Sequence, residues 1–325
     1  MQFIDMHCDT LMKAYQKKQD DIYSTDTMLD IKRLKEYGAM AQFFAIFMPG
    51  PGSDSFANAE GRFPDDEYIA YCFKVFENTL ALHSDTITKT LTGRDVLNNS
   101  KAGKISAILT FEDGRPIDGK FENLDAWYQK GIRLITLTWN GENCFGFPNS
   151  ADKTEMAKGL KPFGKEAIHR MNELGIMIDV SHLSMGGFFD VAELSKKPFV
   201  ASHSNSYTLS PHQRNLTDEQ IRILADKGGV TGLNFLPEFL NADIECKKGT
   251  AALISAHAKY IKKVGGIDCV GLGSDFDGIG GDLEIGAVEK FPLLFDQFSR
   301  DGFTDDEIEK IAWKNTLRVM TDIMG

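Results

Sequence analysis

The sequence predicts an α/β protein built as a closed (β/α)8 barrel of the TIM type. Two observations predict it. Eight short apolar runs alternate with amphipathic helical patterns along the chain, the mark of a parallel sheet. Polar residues of chemical use stand at the C-terminal ends of many of those runs, whereas an open doubly wound sheet gathers them at one switch point. The length of 325 residues fits one barrel domain spanning 1–325, since such barrels commonly run to ~250 residues and beyond.

The first run is Phe3 to Met6, followed at once by His7-Cys8-Asp9. Asp30 to Glu36 reads as a short helix with Ile31 and Leu34 on one face and Gly38 as its stop. The second run, Ala39 to Phe47, leads into a Pro/Gly-rich stretch from Met48 to Asp66 that leaves a strand end and should overhang the barrel mouth as a lid or dimer contact. Ile69, Phe73, Phe76 and Leu80 follow at helical spacing. The third run, Ile105 to Phe111, ends in Glu112-Asp113-Gly114, and the fourth, Arg133 to Thr138, ends in Trp139-Asn140.

Glu166 to Leu174 is a helix closed by Gly175. The fifth run, Ile176 to Val180, ends in Ser181-His182, and the sixth, Pro198 to Ser202, ends in His203. Thr217 to Gln220 is a capping box opening a helix that stops near Gly228. The seventh run, Val230 to Leu233, ends in Asn234. A helix over roughly Ala252 to Val264 precedes the eighth, Val270 to Ser274, which ends in Asp275. Thr304 to Glu307 is a second capping box, starting the C-terminal helical segment.

Composition narrows the function. Hydrophobic residues make up 42% of the chain, enough for a large core, and 36 basic against 47 acidic residues give a net charge of −11. No basic surface is available for phosphate, which argues against nucleic acid as a partner. No apolar run approaches the ~20 residues of a membrane span, and the chain enters a strand at once, with no secretory leader to read. The five cysteines, Cys8, Cys72, Cys144, Cys246 and Cys269, are odd in number and lack CxxC spacing, so a reduced, cytoplasmic setting is expected.

A closed barrel brings all strand ends to one mouth. Read there, His7, Asp9, Glu112, His182, His203 and Asp275 form a set of three imidazoles and three carboxylates from five strands. In an extended strand His7 and Asp9 face the same side. Imidazole with carboxylate suits zinc or a similar ion. Six groups exceed one four-coordinate site, and two ions sharing a bridging carboxylate would use them. Of the other histidines, His83 and His169 fall on helical patterns as solvated residues, and His257 reads as structural. His212 lies in the loop after the sixth run, and both a structural and a mouth-facing role are open to it.

These residues carry a family resemblance. Asp5-Met6-His7-Cys8-Asp9, Glu112 before Asp113-Gly114, Asp179-Val180-Ser181-His182, Ala201-Ser202-His203-Ser204, Arg214-Asn215-Leu216-Thr217-Asp218 and Gly273-Ser274-Asp275-Phe276-Asp277-Gly278 stand in order along nearly the whole chain. The chain resembles the renal (membrane) dipeptidases, zinc peptidases among the metallo-dependent, amidohydrolase-like barrels. The resemblance implies two Zn2+ per chain: His7 and Asp9 on one, His182 and His203 on the other, and Glu112 bridging. It implies Asp275 as the catalytic acid/base and Arg214 as the partner of the dipeptide's C-terminal carboxylate, whose planar fork suits it. It also implies a substrate whose C-terminal residue can be D, and a homodimer, the family's usual assembly. The lipid anchor of mammalian members is not expected, because Met320 to Gly325 offers no apolar tail.

The chain departs from the family pattern twice. A His that helps bind and polarise the substrate usually follows Thr-Leu-Thr of the fourth strand; here Thr136-Leu137-Thr138 precedes Trp139-Asn140. Asn140 is the substrate-binding candidate there, able to donate a hydrogen bond to a developing oxyanion. Glu112-Asp113-Gly114 replaces Glu-Gly-Gly, a change expected to touch only the following loop. Two other functions compete: an amidohydrolase of another small amide or lactam, which the missing His favours, and a non-catalytic metal-binding barrel, which the complete residue set disfavours.

Overall fold

The computed structural model describes residues 1–50, 65–243 and 245–325. Among them, eight parallel strands close into a ring: β1 (Phe3–Asp5), β2 (Ala39–Phe47), β3 (Ile105–Glu112), β4 (Ile132–Thr136), β5 (Met177–Asp179), β6 (Val200–Ala201), β7 (Val230–Leu233) and β8 (Val270–Leu272). Each pairs with its neighbours in chain order, and β1 closes on β8 through Asp5 opposite Leu272. A further short strand, Ile87–Lys89, adds to the edge of β3. Most of the Met48–Asp66 stretch lies outside the described residues.

Register levels the strand ends. Glu112 lies opposite Thr136, Thr136 opposite Asp179, and Asp179 opposite Val200. Side chains alternate along each strand. Ile108, Leu134, Met177, Val200 and Val230 form one apolar cluster with Leu317, Val319, Met320 and Ile323. Leu109, Phe111, Ile135, Ile178 and Ala201 belong to the other, packed against the surrounding helices. By the same period Glu112 and Asp179 share a face with the first cluster.

The C-terminal helix Asn315–Met324 closes the end of the barrel away from the mouth. Its Ile323 carbonyl accepts from Lys197 Nζ, and Arg318 donates to the carbonyls of Gly228 and Asp268, all just ahead of strands. The expected helices are present, often longer: Asp65–Leu82, Pro162–Leu174 with Gly175 at φ +79°, and Ala251–Gly265. Thr217 and Thr304 each form the full capping box. Among the described residues no helix is long and apolar enough to cross a membrane.

Candidate metal centre and substrate cavity

His7 and Asp9 leave β1 on a segment pinned from both sides. Asp275 N–H donates to the His7 carbonyl, Asp9 N–H to that of Phe276, and Ala45 N–H to that of Cys8. The last residue of β3, Glu112, reaches between the imidazoles. Its Oε2 lies 3.3 Å from His7 Nε2, while Oε1 lies 3.0 Å from His182 Nε2 and 3.5 Å from His203 Nε2. One carboxylate thus turns one oxygen to each side of the mouth. Asp9 Oδ2 lies 3.6 Å and Asp275 Oδ1 3.9 Å from His7 Nε2.

Two buried carboxylates beneath the mouth aim these groups. Asp179 accepts from Ser202 N–H at 2.8 Å and from Ser202 Oγ at 2.6 Å. With its proton given to Asp179, Ser202 Oγ accepts from His203 Nδ1–H at 2.7 Å. That fixes the tautomer and frees the Nε2 lone pair, the usual outer-shell device of a metal-ligating imidazole. Asp5 holds Ser274 in the same way, accepting from its N–H at 2.8 Å and its Oγ at 2.7 Å, and so places Asp275. Asp275 has φ +63° and Asp277 φ +70°, so the backbone turns sharply at the end of β8.

A divalent cation fits this donor set. His7 Nε2 and Asp9 Oδ1 are buried without a hydrogen-bond partner, a costly state for polar atoms. Burial, then the Arg214 charge, pushes His182 down to about 4; burial, then His7, lowers His203 well below its ordinary value. Both are therefore neutral, the form that ligates. Their Nε2 atoms lie 3.1 Å apart and converge on Glu112. Burial opposes the charge on Glu112, but the facing imidazoles, His7 first, hold it well below the carboxylate range. Burial and the neighbouring Glu112 push Asp9 up to about 8. Crowded, buried acids favour a bound cation. Donor atoms of His7, Glu112 and His203, and of His7, Asp9 and Asp275, fall within 4.8 Å of one another.

A cavity of about 620 Å³ opens over these groups, of the size that holds small ligands. Arg214 and Asn140, the expected substrate-binding residues, both line it. Asn140 is exposed on the rim. Arg214 is buried, and much of its fork is committed: Nη1 donates to the Ser181 carbonyl and, at 3.3 Å, to Ser204 Oγ, and Nη2 donates to the His203 carbonyl at 3.3 Å. Its Nε is buried without a partner. Burial lowers its pKa to about 10, which leaves it charged. Trp139 forms part of the wall, edge-on to Phe47 with centroids 4.7 Å apart.

The reading from sequence missed Asn234. Its Nδ2 donates to Asp275 Oδ2 at 2.8 Å and to the His203 carbonyl at 3.3 Å, tying the acid to a ligand loop. Its place at the end of the seventh run was the available signal. His83 stacks on Tyr23 and His169 is exposed. His257 is buried and structural, accepting from Ser206 N–H and donating to the Leu240 carbonyl. Asp113, in place of the usual Gly, stands at φ +82° and its carboxylate accepts from Arg115 N–H and Asn143 Nδ2. Its contacts thus reach beyond its own loop to Asn143, in the loop after the next strand.

Comparison with known proteins gives the same direction throughout. The family model described as Membrane dipeptidase (Peptidase family M19) matches residues 1–324. An uncharacterized protein in the pqqA 5′ region of Klebsiella pneumoniae is 34% identical over 256 residues, 77% of this chain and 93% of that protein. Dipeptidase tcpJ of Claviceps purpurea is 27% identical over 297 residues, 91% of this chain and 69% of its own. The structure superposes with a TM-score of 0.87 and 26% identity on a metallo peptidase from Rhodobacter sphaeroides liganded with a phosphinate mimic of the dipeptide L-Ala-D-Ala, over 99% of both chains.

Proposed function

The chain belongs to the membrane dipeptidase family and is a zinc-dependent dipeptidase; we propose how its residues share that work, as one barrel over residues 1–325. His7 and Asp9 would hold one Zn2+ and His182 and His203 a second, with Glu112 available to both. The observation that carries this is Glu112 itself, with Oε2 facing His7 and Oε1 facing His182 and His203. The bound pair supplies Lewis acidity and a water of lowered pKa.

The protein's own residues do the rest. Asp275 accepts the proton of the attacking water and returns it to the leaving amine. Burial, opposed by His7 and supported by Glu112, pushes its pKa up to about 6, near the operating range of such a group. Asn234 holds its second oxygen in place. Arg214 pairs with the C-terminal carboxylate and so sets the length of the substrate, since a longer peptide would lay a neutral amide there. Asn140 on the rim donates to the developing oxyanion. The dipeptide mimic bound by the Rhodobacter sphaeroides relative supports acceptance of a C-terminal D-residue. Five unpaired cysteines support a cytoplasmic setting.

The test is amine release from pooled L,L and L,D dipeptides by zinc-loaded protein, with a chelated control. Turnover that the chelator abolishes and zinc restores is expected. A protein that holds two zinc ions yet cleaves no dipeptide would move the substrate to another small amide, with the Trp139 wall as its determinant.

A further inference from the structure

His212 lines the substrate cavity beside Arg214 yet belongs to no part of the centre described above. We infer that His212 is a second reader of the substrate's C-terminal carboxylate, donating from Nε2–H beside Arg214; this rests on the dipeptidase reading and adds to it a residue for carboxylate selectivity.

The first support is the state of Arg214. Of its five N–H donors, three already serve Ser181, Ser204 and His203, which leaves Nε–H, buried without a partner, and one Nη2–H. An ionised carboxylate has two oxygens and about four acceptor sites. Two N–H fill about half of those sites, and a further donor beside them would fill another.

The second is the state of His212. The Arg214 backbone N–H donates to His212 Nδ1 at 3.2 Å, which places the lone pair on Nδ1 and the proton of the neutral ring on Nε2. Burial and then the Arg214 charge lower its pKa, which keeps the ring neutral. Among the described residues, no hydrogen bond engages Nε2. The ring packs against Phe239 with centroids 4.6 Å apart, and the Arg214 guanidinium faces the same phenyl at 5.3 Å. One side chain thus sets the height of both donors. Glu238 lines the same wall, but Lys247 Nζ holds its Oε1 at 2.6 Å and offsets its charge.

The test uses zinc-loaded wild type, His212→Phe and His212→Gln, with alanyl-alanine as substrate and alanyl-alaninamide as competitor. Phe keeps the packing on Phe239 without the donor; Gln restores a donor. A hydrogen bond to a charged group predicts a KM for alanyl-alanine raised about 10- to 100-fold in His212→Phe. The kcat and the Ki of the uncharged amide should stay as in wild type, and His212→Gln should recover part of the loss. A parallel rise of KM and Ki would mean a structural role and overturn the inference, as would no change in either. Failure of the wild type to cleave alanyl-alanine or any other dipeptide would instead sink the dipeptidase reading, and this inference with it.

Discussion

Replacing Asp179 by Asn tests whether this carboxylate, which touches no candidate ligand directly, controls zinc through Ser202. Oδ1 accepts from Ser181 N–H at 3.0 Å, Ser181 Oγ at 2.8 Å and Ser202 N–H at 2.8 Å. Two of those donors are backbone amides and cannot reverse. The Asn oxygen must therefore take this side, and its NH2 must face Thr136 Oγ1 and Ser202 Oγ, both 2.6 Å from Oδ2. Three charge-assisted bonds become neutral ones, at about 1 kcal/mol each, so the fold should lose about 3 kcal/mol. The Ser202 hydroxyl also loses its acceptor and turns its proton toward His203 Nδ1 or Ser181 Oγ. Each donation to Nδ1 moves the imidazole proton to Nε2, where a ligand needs its lone pair. Loss of such an outer-shell partner typically costs 10- to 100-fold in metal affinity. The assay is zinc competition with a chromophoric chelator on folded Asp179→Asn, beside denaturant unfolding. One zinc should weaken by about that factor. Asp5→Asn is the matched control, because Asp5 holds Ser274 and through it Asp275; it should keep its zinc affinity and lose turnover. Stability lost in Asp179→Asn with zinc affinity unchanged would refute the argument that Ser202 transmits the effect.

Three further outcomes are expected. Asp275→Asn should lower kcat by about 10²- to 10⁴-fold, the usual worth of a general acid/base, while zinc content by elemental analysis stays at the wild-type value. His257 is buried and pushed down to about 4 by burial, so the unfolded chain binds its proton more readily. Its contribution is fully present above about pH 6.5 and is lost as pH falls through about 4, a swing of about 3 kcal/mol; the stability gap between wild type and His257→Gln, read from denaturant midpoints, should close over that window. A methyl at Gly273 would overlap the Ser202 carbonyl oxygen, which Gly232 also approaches from its own strand. Gly273→Ala should therefore destabilise by about 3 kcal/mol and lower the thermal midpoint, and a variant as stable as wild type would count against the close strand packing.

The fold was legible because its signals are local. Each of the eight apolar runs became a strand of the ring, and Thr217 and Thr304 became caps, since run and cap are decided within a few residues. The capping box of Thr92 with Asp95 obeyed the same rule and was missed, and with it the helix Gly93–Lys101. The sixth run shortened to Val200–Ala201: Pro198 has no N–H to give the ladder, and the Ser202 N–H goes to Asp179 Oδ1 instead. The candidate ligands were legible as residue types at strand ends, but the groups that aim them were not. Asp5 and Ser274 stand 269 positions apart, and Asp179 and Thr136 stand 43 apart. No spacing rule connects such pairs, and both acids read as ordinary members of a motif.

The same distinction explains His212. From sequence it was a loop histidine open to a structural or a mouth-facing role, unlike His83 and His169 on their helical patterns. What separates it is not its neighbours in the chain but two features of the closed barrel: the Arg214 N–H on its Nδ1, and a Phe239 from the following β/α loop under its ring. A residue's chemistry is fixed by its type, while its use is fixed by which of its atoms are left over once the fold has taken its share. At Asp179 nothing is left over, and the residue positions others. At Arg214 the Nε–H and one Nη2–H are left, fewer donors than a carboxylate has acceptor sites. A carboxylate held by Arg214 therefore has acceptor sites to spare, and His212 Nε2 is a neighbouring atom with a proton to give.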